Sequence, residues 1–214
     1  MGLDAKLYRQ RELATFPRAA ILDRVEQAVV FLFFGLLCER IVRSGNPFAA
    51  VTLVSEGAIA ICVLIRQPTS DISYRPLDWV LAIIATTGSL LVVPIHASPP
   101  QLIVPAVALV AAGNAFQLSA KLVMRRSFGI GPANRGVKVS GPYKLVRHPM
   151  YAGYFVANMG VLMLMPSWYN LMVYLTAWTA QAFRLEAEEK LLSKDPAYCA
   201  LRKHVRFLVV PGLY

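Results

Sequence analysis

The chain has 214 residues, of which 57% are hydrophobic and only 16% charged. A soluble globular domain carries roughly 25% charged residues, and long stretches here hold no Lys, Arg, Asp or Glu, so lipid explains the composition better than a soluble core does. The net charge of +10 comes with no nucleic-acid recognition motif and fits the Lys and Arg excess of cytoplasmic loops, which argues against nucleic acid as a partner.

Residues 1–24 carry Lys6, Arg9, Arg11, Arg18 and Arg24 among acids and contain no compact apolar run, so they do not read as a signal peptide. Lys6 also breaks the N-myristoylation pattern that Met-Gly would open. Six apolar segments follow, at about 25–42, 49–65, 77–97, 101–124, 149–165 and 167–184. Pro47, Pro68, Pro76, Pro99, Pro100 and Pro166 fall in the connections, where helix breakers belong. The expected fold is all-α: a polytopic transmembrane helical bundle, with a division between membrane helices at 1–124 and a cofactor-binding half at 125–214. The last two segments are joined only by Met165, Pro166, Ser167 and Trp168, so they should form an antiparallel hairpin packed side by side. Trp168 and Tyr169 at that turn suit a membrane interface. With six spans, every Lys and Arg except Arg40 and Arg43 falls on one side. That asymmetry places both termini and the loop after the fourth segment in the cytoplasm. Cys38, Cys62 and Cys199 have no metal-ligand or disulfide spacing.

The loop 125–148 is rich in Gly, Pro and basic residues, which permits close backbone approach to a ligand. Its glycines do not form Gly-x-Gly-x-x-Gly and no strand precedes them, so a dinucleotide fold is unsupported. A basic loop that meets only lipid headgroups explains the same composition. The loop ends in Arg147-His148-Pro149-Met150-Tyr151, where Pro149 suits the first position of a helix and the helix start offers N–H groups to an anion. The sixth segment ends in Arg184, with Glu188 one turn on and so able to pair with it. Glu189 points about 100° away from Glu188 and about 140° away from Arg184. Arg184 follows directly on an apolar run, where a charge is costly and usually functional; Glu56, inside the second segment, must pair, line a cavity or be protonated. Asn114 and Gln117 could partner Glu56 or simply join helices.

Together these elements resemble the isoprenylcysteine carboxyl methyltransferase family and its phospholipid N-methyltransferase kin. The resemblance runs from Gly141-Pro142-Tyr143 through Arg147-His148-Pro149-Met150-Tyr151 and Gly153 to Arg184, Glu188, Glu189 and Leu192, and on to Tyr198, Arg202, Arg206, Phe207 and Pro211. It implies a multi-pass membrane enzyme that uses S-adenosylmethionine to methylate an amphiphilic acceptor, most simply the carboxylate of an isoprenylcysteine-like substrate. It further implies that Arg135, Gly136, Val137, Lys138, Tyr143, His148, Pro149, Met150 and Tyr151 contact the cofactor. Glu189 would match the acid near the cofactor's amino group, and Arg184 the arginine that holds the acceptor's carboxylate; Glu56 is a further candidate on the substrate side. The turn Ser193-Lys194-Asp195-Pro196-Ala197 departs from the family's Gly-containing turn. The Arg-His-Pro-x-Tyr element and Tyr198-Cys199 also resemble membrane sterol reductases, so a nicotinamide-dependent reductase is the alternative enzyme, and a non-catalytic membrane scaffold the alternative outside catalysis.

Overall fold

The computed structural model describes residues 2–45, 50–67, 69, 71–94 and 98–212, with side chains from residue 19 onward except at 50–52 and 55. Pro47 and Pro68, expected in connections, lie outside the described residues. Seven α-helices follow one another: α1 (Gly2–Ser44), α2 (Ala50–Ile65), α3 (Pro76–Leu91), α4 (Pro100–Met124), α5 (Pro149–Leu164), α6 (Trp168–Leu192) and α7 (Pro196–His204). Among the described residues there is no strand, and one isolated β-bridge pairs Ile72 with Ala133. The all-α expectation therefore holds.

Helix limits follow local chemistry. Pro76, Pro100, Pro149 and Pro196 each open a helix, where the missing N–H costs nothing. Ser167 caps α6 by accepting the Asn170 N–H, and Asp195 caps α7 by accepting that of Ala197. Two helices outrun the apolar segments that announced them. The basic N-terminal stretch and the first apolar segment form one helix of 43 residues. Helix α6 continues two turns past Arg184, because residues 185–192 contain neither Gly nor Pro to stop it.

The expected hairpin meets through side chains: Phe155 of α5 lies against Trp178 of α6, 4.9 Å between ring centres, and Tyr151 against Arg184 and Glu188. The closest backbone packing is of α5 on α4 and of α6 on α3. Small residues decide this. A Cβ added at Gly113 would strike the backbone of Ala157, one at Gly153 would lie 2.8 Å from the Gly113 carbonyl oxygen, and one at Gly160 would lie 2.6 Å from that of Ala106. Glycine thus lets the α4 and α5 backbones touch, as small residues do between membrane helices. Gly88 of α3 meets Ala177 of α6 in the same way.

Among the described residues one helical stretch, Pro100–Ser127, is long and apolar enough to cross a bilayer; Glu56–Ile65, Pro76–Leu91 and Pro149–Leu164 are apolar but shorter. Helices α2, α3 and α5 have 16 residues each, below the roughly 20 needed to cross a hydrocarbon core without tilt or thinning. The sequence also misplaced Lys121, counted among the cytoplasmic charges. It is fully buried within α4, with its Nζ 3.2 Å from Glu56 Oε1 and 3.1 Å from Gln117 Oε1. Glu56 therefore has a cationic partner, and Gln117 joins it through that lysine.

Candidate functional site

Helix α4 ends where Arg125 adopts a positive φ of 46°, turning the chain through a 3-10 turn (Arg125–Ser127) into the loop toward α5. Within the loop, the Ser127 hydroxyl donates to the Arg135 carbonyl at 2.8 Å, and the Gly136 N–H donates to Asn134 Oδ1 at 3.0 Å. Gly136 has φ +95°, a conformation that excludes most side chains. The second 3-10 turn (Gly141–Lys144) buries Tyr143. The C-terminal tail fixes the far end of the loop: the N–H groups of Arg147 and His148 donate to the carbonyls of Phe207 and Leu208 at 3.0 and 2.8 Å. The departing turn before Tyr198 is also tied in, since Asp195 Oδ2 accepts from Asn134 Nδ2 at 2.8 Å.

These pieces form a partly open cleft, with about 770 Å³ of space when the solvent at its mouth is included. Its lining residues all fall between Met124 and Leu201. Of the residues expected to contact a cofactor, Arg135, Gly136, Val137, Lys138, Tyr143, His148, Met150 and Tyr151 line it, and so does Arg184. Three expected residues do not. Pro149 is buried beneath the wall. Glu56 is committed to Lys121 and faces a separate, mostly apolar cavity among α1, α2 and α3. Glu189 sits behind the cleft, and its neighbour Glu188 lines it instead.

The two glutamates divide as their helical phase predicts. Glu188 Oε1 accepts from Tyr151 Oη at 2.7 Å and from Arg184 Nε at 3.1 Å, which places acid, base and phenol on one wall. The Arg184 guanidinium also lies 5.3 Å from the centre of the Tyr151 ring, a cation–π contact. Glu188 Oε2 lies 3.7 Å from His148 Nδ1, beyond hydrogen-bonding distance. Glu189 is caged: Oε2 accepts from Arg147 Nη1 at 2.6 Å, Oε1 lies 2.7 Å from His148 Nε2, and the Tyr198 hydroxyl donates to Oε1 as well. Burial pushes the Glu189 carboxyl up, but the hydrogen bonds from His148 and Tyr198 and the charges of His148 and Arg147 outweigh it and hold it below the usual carboxylate range. Burial raises the Tyr198 phenol, and the hydrogen bond to Glu189 raises it further; burial and the charge of Glu188 raise that of Tyr143. Both phenols thus remain protonated donors at neutral pH.

The start of α5 is a poorer anion site than its sequence suggested. Pro149 has no N–H, that of His148 is spent on Leu208, and that of Tyr151 donates to the His148 carbonyl at 3.2 Å. Arg147 is the cation beside that helix start. It lines the cleft, and its Nε is buried without a hydrogen-bond partner among the described residues. The donor set therefore fits a ligand with an ammonium for Glu188, a carboxylate for Arg147 and an apolar body against Met124, Val137, Met150 and Leu192. Among the described residues no cluster of His, Cys, Asp and Glu could hold a metal ion.

Sequence reasoning left out Glu188 and Arg147 as site residues, although Glu188 was legible from Arg184: residues four apart share a helix face. Gly129 and Gly131, also in the lining, carried no signal. A comparison with curated proteins finds no match to the chain. Residues 102–194, which contain α5, the loop and the cleft-facing end of α6, match the model of the Isoprenylcysteine carboxyl methyltransferase (ICMT) family, so that segment is similar to a family of methyltransferases.

Proposed function

We propose that the chain is an integral-membrane methyltransferase that uses S-adenosylmethionine to methylate the carboxylate of an amphiphilic, isoprenylcysteine-like acceptor. The observation that carries this reading is a cleft that brings Glu188, Arg147 and Arg184 to one place, in a segment similar to a family of methyltransferases. Glu188 and Arg147 would hold the amino and carboxylate ends of the cofactor's amino acid, and Val137, Met150 and Leu192 its apolar surfaces. When bound, the cofactor supplies a methyl group on a sulfonium, the electrophile that a carboxylate oxygen displaces with no proton to move. Arg184, with Nη2 3.5 Å from the Gly129 carbonyl, would orient the acceptor's carboxylate; a guanidinium grips it with two parallel hydrogen bonds. With no acid or base step required, the residues act by positioning, which can contribute about 7–11 kcal/mol. The acceptor's apolar part would reach the cleft from the bilayer, with the cleft and both termini on the cytoplasmic side.

Titration calorimetry on the detergent-purified protein tests the reading. S-adenosylhomocysteine should bind at micromolar strength, about −8 kcal/mol, and NADPH should not. Binding of NADPH without S-adenosylhomocysteine would replace this reading with a nicotinamide-dependent reductase.

A further inference from the structure

The cleft wall does not stand alone. The connection between α2 and α3 is tied to the loop: the Gln67 N–H donates to the Arg126 carbonyl at 2.8 Å, and around an antiparallel bridge of Ile72 with Ala133 the Asn134 N–H donates to Asp71 at 2.8 Å and the Ser73 N–H to Pro132 at 2.9 Å. Behind this strap lies a buried ionic cluster built on α1. Asp23 and Glu26, three apart, share a face of the helix. Asp23 Oδ1 lies 2.9 Å from Arg66 Nη2 and 2.8 Å from Arg135 Nη2, and Glu26 Oε1 lies 2.7 Å from Arg66 Nη1. Glu26 Oε1 also accepts the backbone N–H of Ile130, between the cleft-lining Gly129 and Gly131. The side chains of Glu26 and Arg66 are each only 2% exposed.

Arg135 is therefore spent. Its Nη2 is held by Asp23 and its Nε donates to the Gln67 carbonyl at 3.2 Å, although the residue borders the cleft. Gly129 is shaped by the same side chain, since a Cβ there would collide with the Arg135 guanidinium. None of Asp23, Glu26 and Arg66 lines the cleft, and all three precede the segment that matches the family.

We infer that Asp23 and Glu26 of α1 are positioning residues for the cofactor site, fixing the wall formed by residues 127–138 through Arg135 and the Ile130 N–H. A buried charge left without its partner is strongly unfavourable, so the cluster has one low-energy arrangement and imposes it on the loop. Loosening it populates loop shapes that do not bind, and apparent affinity falls by the fraction of competent loop. The strut rests on the proposed function only in naming its ligand.

The test uses the full chain in nanodiscs, as wild type and as the isosteric variants Asp23→Asn and Glu26→Gln, which keep an oxygen acceptor and lose the charge. Amide hydrogen exchange of residues 127–138 is measured without ligand, and S-adenosylhomocysteine affinity by calorimetry. Faster exchange confined to that loop is expected, with affinity lower by on the order of tenfold and, in turnover, a raised KM for the cofactor at near-normal kcat. A merely structural role would reduce the folded fraction and leave the KM of the surviving enzyme unchanged. Unchanged loop exchange, or faster exchange with unchanged affinity, overturns the inference. Failure of the wild type to bind S-adenosylhomocysteine overturns the proposed function instead, and loop exchange alone then decides the strut.

Discussion

Glu189→Gln should damage the frame of the site, and Glu188→Gln its grip on the ligand. The carboxylate of Glu189 is shared by Arg147 at 2.6 Å, His148 at 2.7 Å and Tyr198. A glutamine keeps the shape but offers Arg147 a neutral acceptor. A hydrogen bond to a charged group contributes about 1.5–3 kcal/mol, roughly twice a neutral one. Weakening the two best bonds to neutral strength costs about 2 kcal/mol, or about 4–8 °C in Tm for a chain of this length. Against the upward push of burial, the hydrogen bonds from His148 and Tyr198 hold the folded pKa of Glu189 below the usual carboxylate range. The stability it contributes is therefore complete above that range and is lost as pH falls through the folded pKa. Thermal unfolding in detergent at pH 7 and near pH 4 should show a large gap between wild type and Glu189→Gln at pH 7 and a smaller one in acid. Glu188→Gln should lose S-adenosylhomocysteine affinity with a smaller change in Tm. Equal Tm for Glu189→Gln and wild type at pH 7, together with lost cofactor affinity, would return Glu189 to the ligand and refute the cage.

Arg184→Ala should raise the acceptor KM and cut turnover while leaving S-adenosylhomocysteine affinity nearly intact, and Arg184→Lys should recover only part, because an ammonium lacks the planar two-pronged grip; steady-state kinetics beside calorimetry reads both, and equal loss of cofactor affinity in both variants would contradict an acceptor role. Gly160→Ala places a Cβ 2.6 Å from the Ala106 carbonyl oxygen and 2.8 Å from the Val110 nitrogen, both backbone atoms of α4. It should destabilise by about 1–3 kcal/mol through overpacking, seen as a lower Tm, whereas a wild-type Tm would mean that α4 and α5 are not in backbone contact.

Elements periodic in the sequence were legible, and partnerships across the fold were not. The prolines at 76, 100 and 149 gave the starts of α3, α4 and α5 to within a residue, because capping chemistry is local, whereas α3 stops at Leu91, six residues before its apolar run was expected to end. The link at 165–168 announced that α5 and α6 meet, which their side chains do, but not that the closer backbone contact of α5 is with α4, which Gly113, Gly153 and Gly160 allow. Lys121 was invisible for a related reason. A lysine three residues from the end of an apolar run reads as the edge of a membrane span, and only Glu56, 65 positions away, makes its burial tolerable. The stretch from Arg135 to Lys138, expected to contact a cofactor, lines the cleft, yet the side chain of Arg135 points to Asp23, 112 positions away.

The adjacent pair Glu188-Glu189 shows how one helix serves two purposes at this site. Successive residues differ by about 100° in direction, so a doubled acid at the end of α6 cannot serve one ligand twice. The first acid faces Tyr151, Arg184 and the cleft; the second faces Arg147, His148 and Tyr198, which belong to the loop and to α7. Arg147 is then held through Nη1 by Glu189, and its Nε is shielded from solvent with no hydrogen-bond partner among the described residues. Glu189 thus fixes a guanidinium that lines the cleft without lining the cleft itself. The ion pair is largely buried, so removing either partner would leave an uncompensated charge in the frame of the site. The doubled glutamate thus puts one acid on the cleft wall and the other among the groups that tie the loop and α7 to α6.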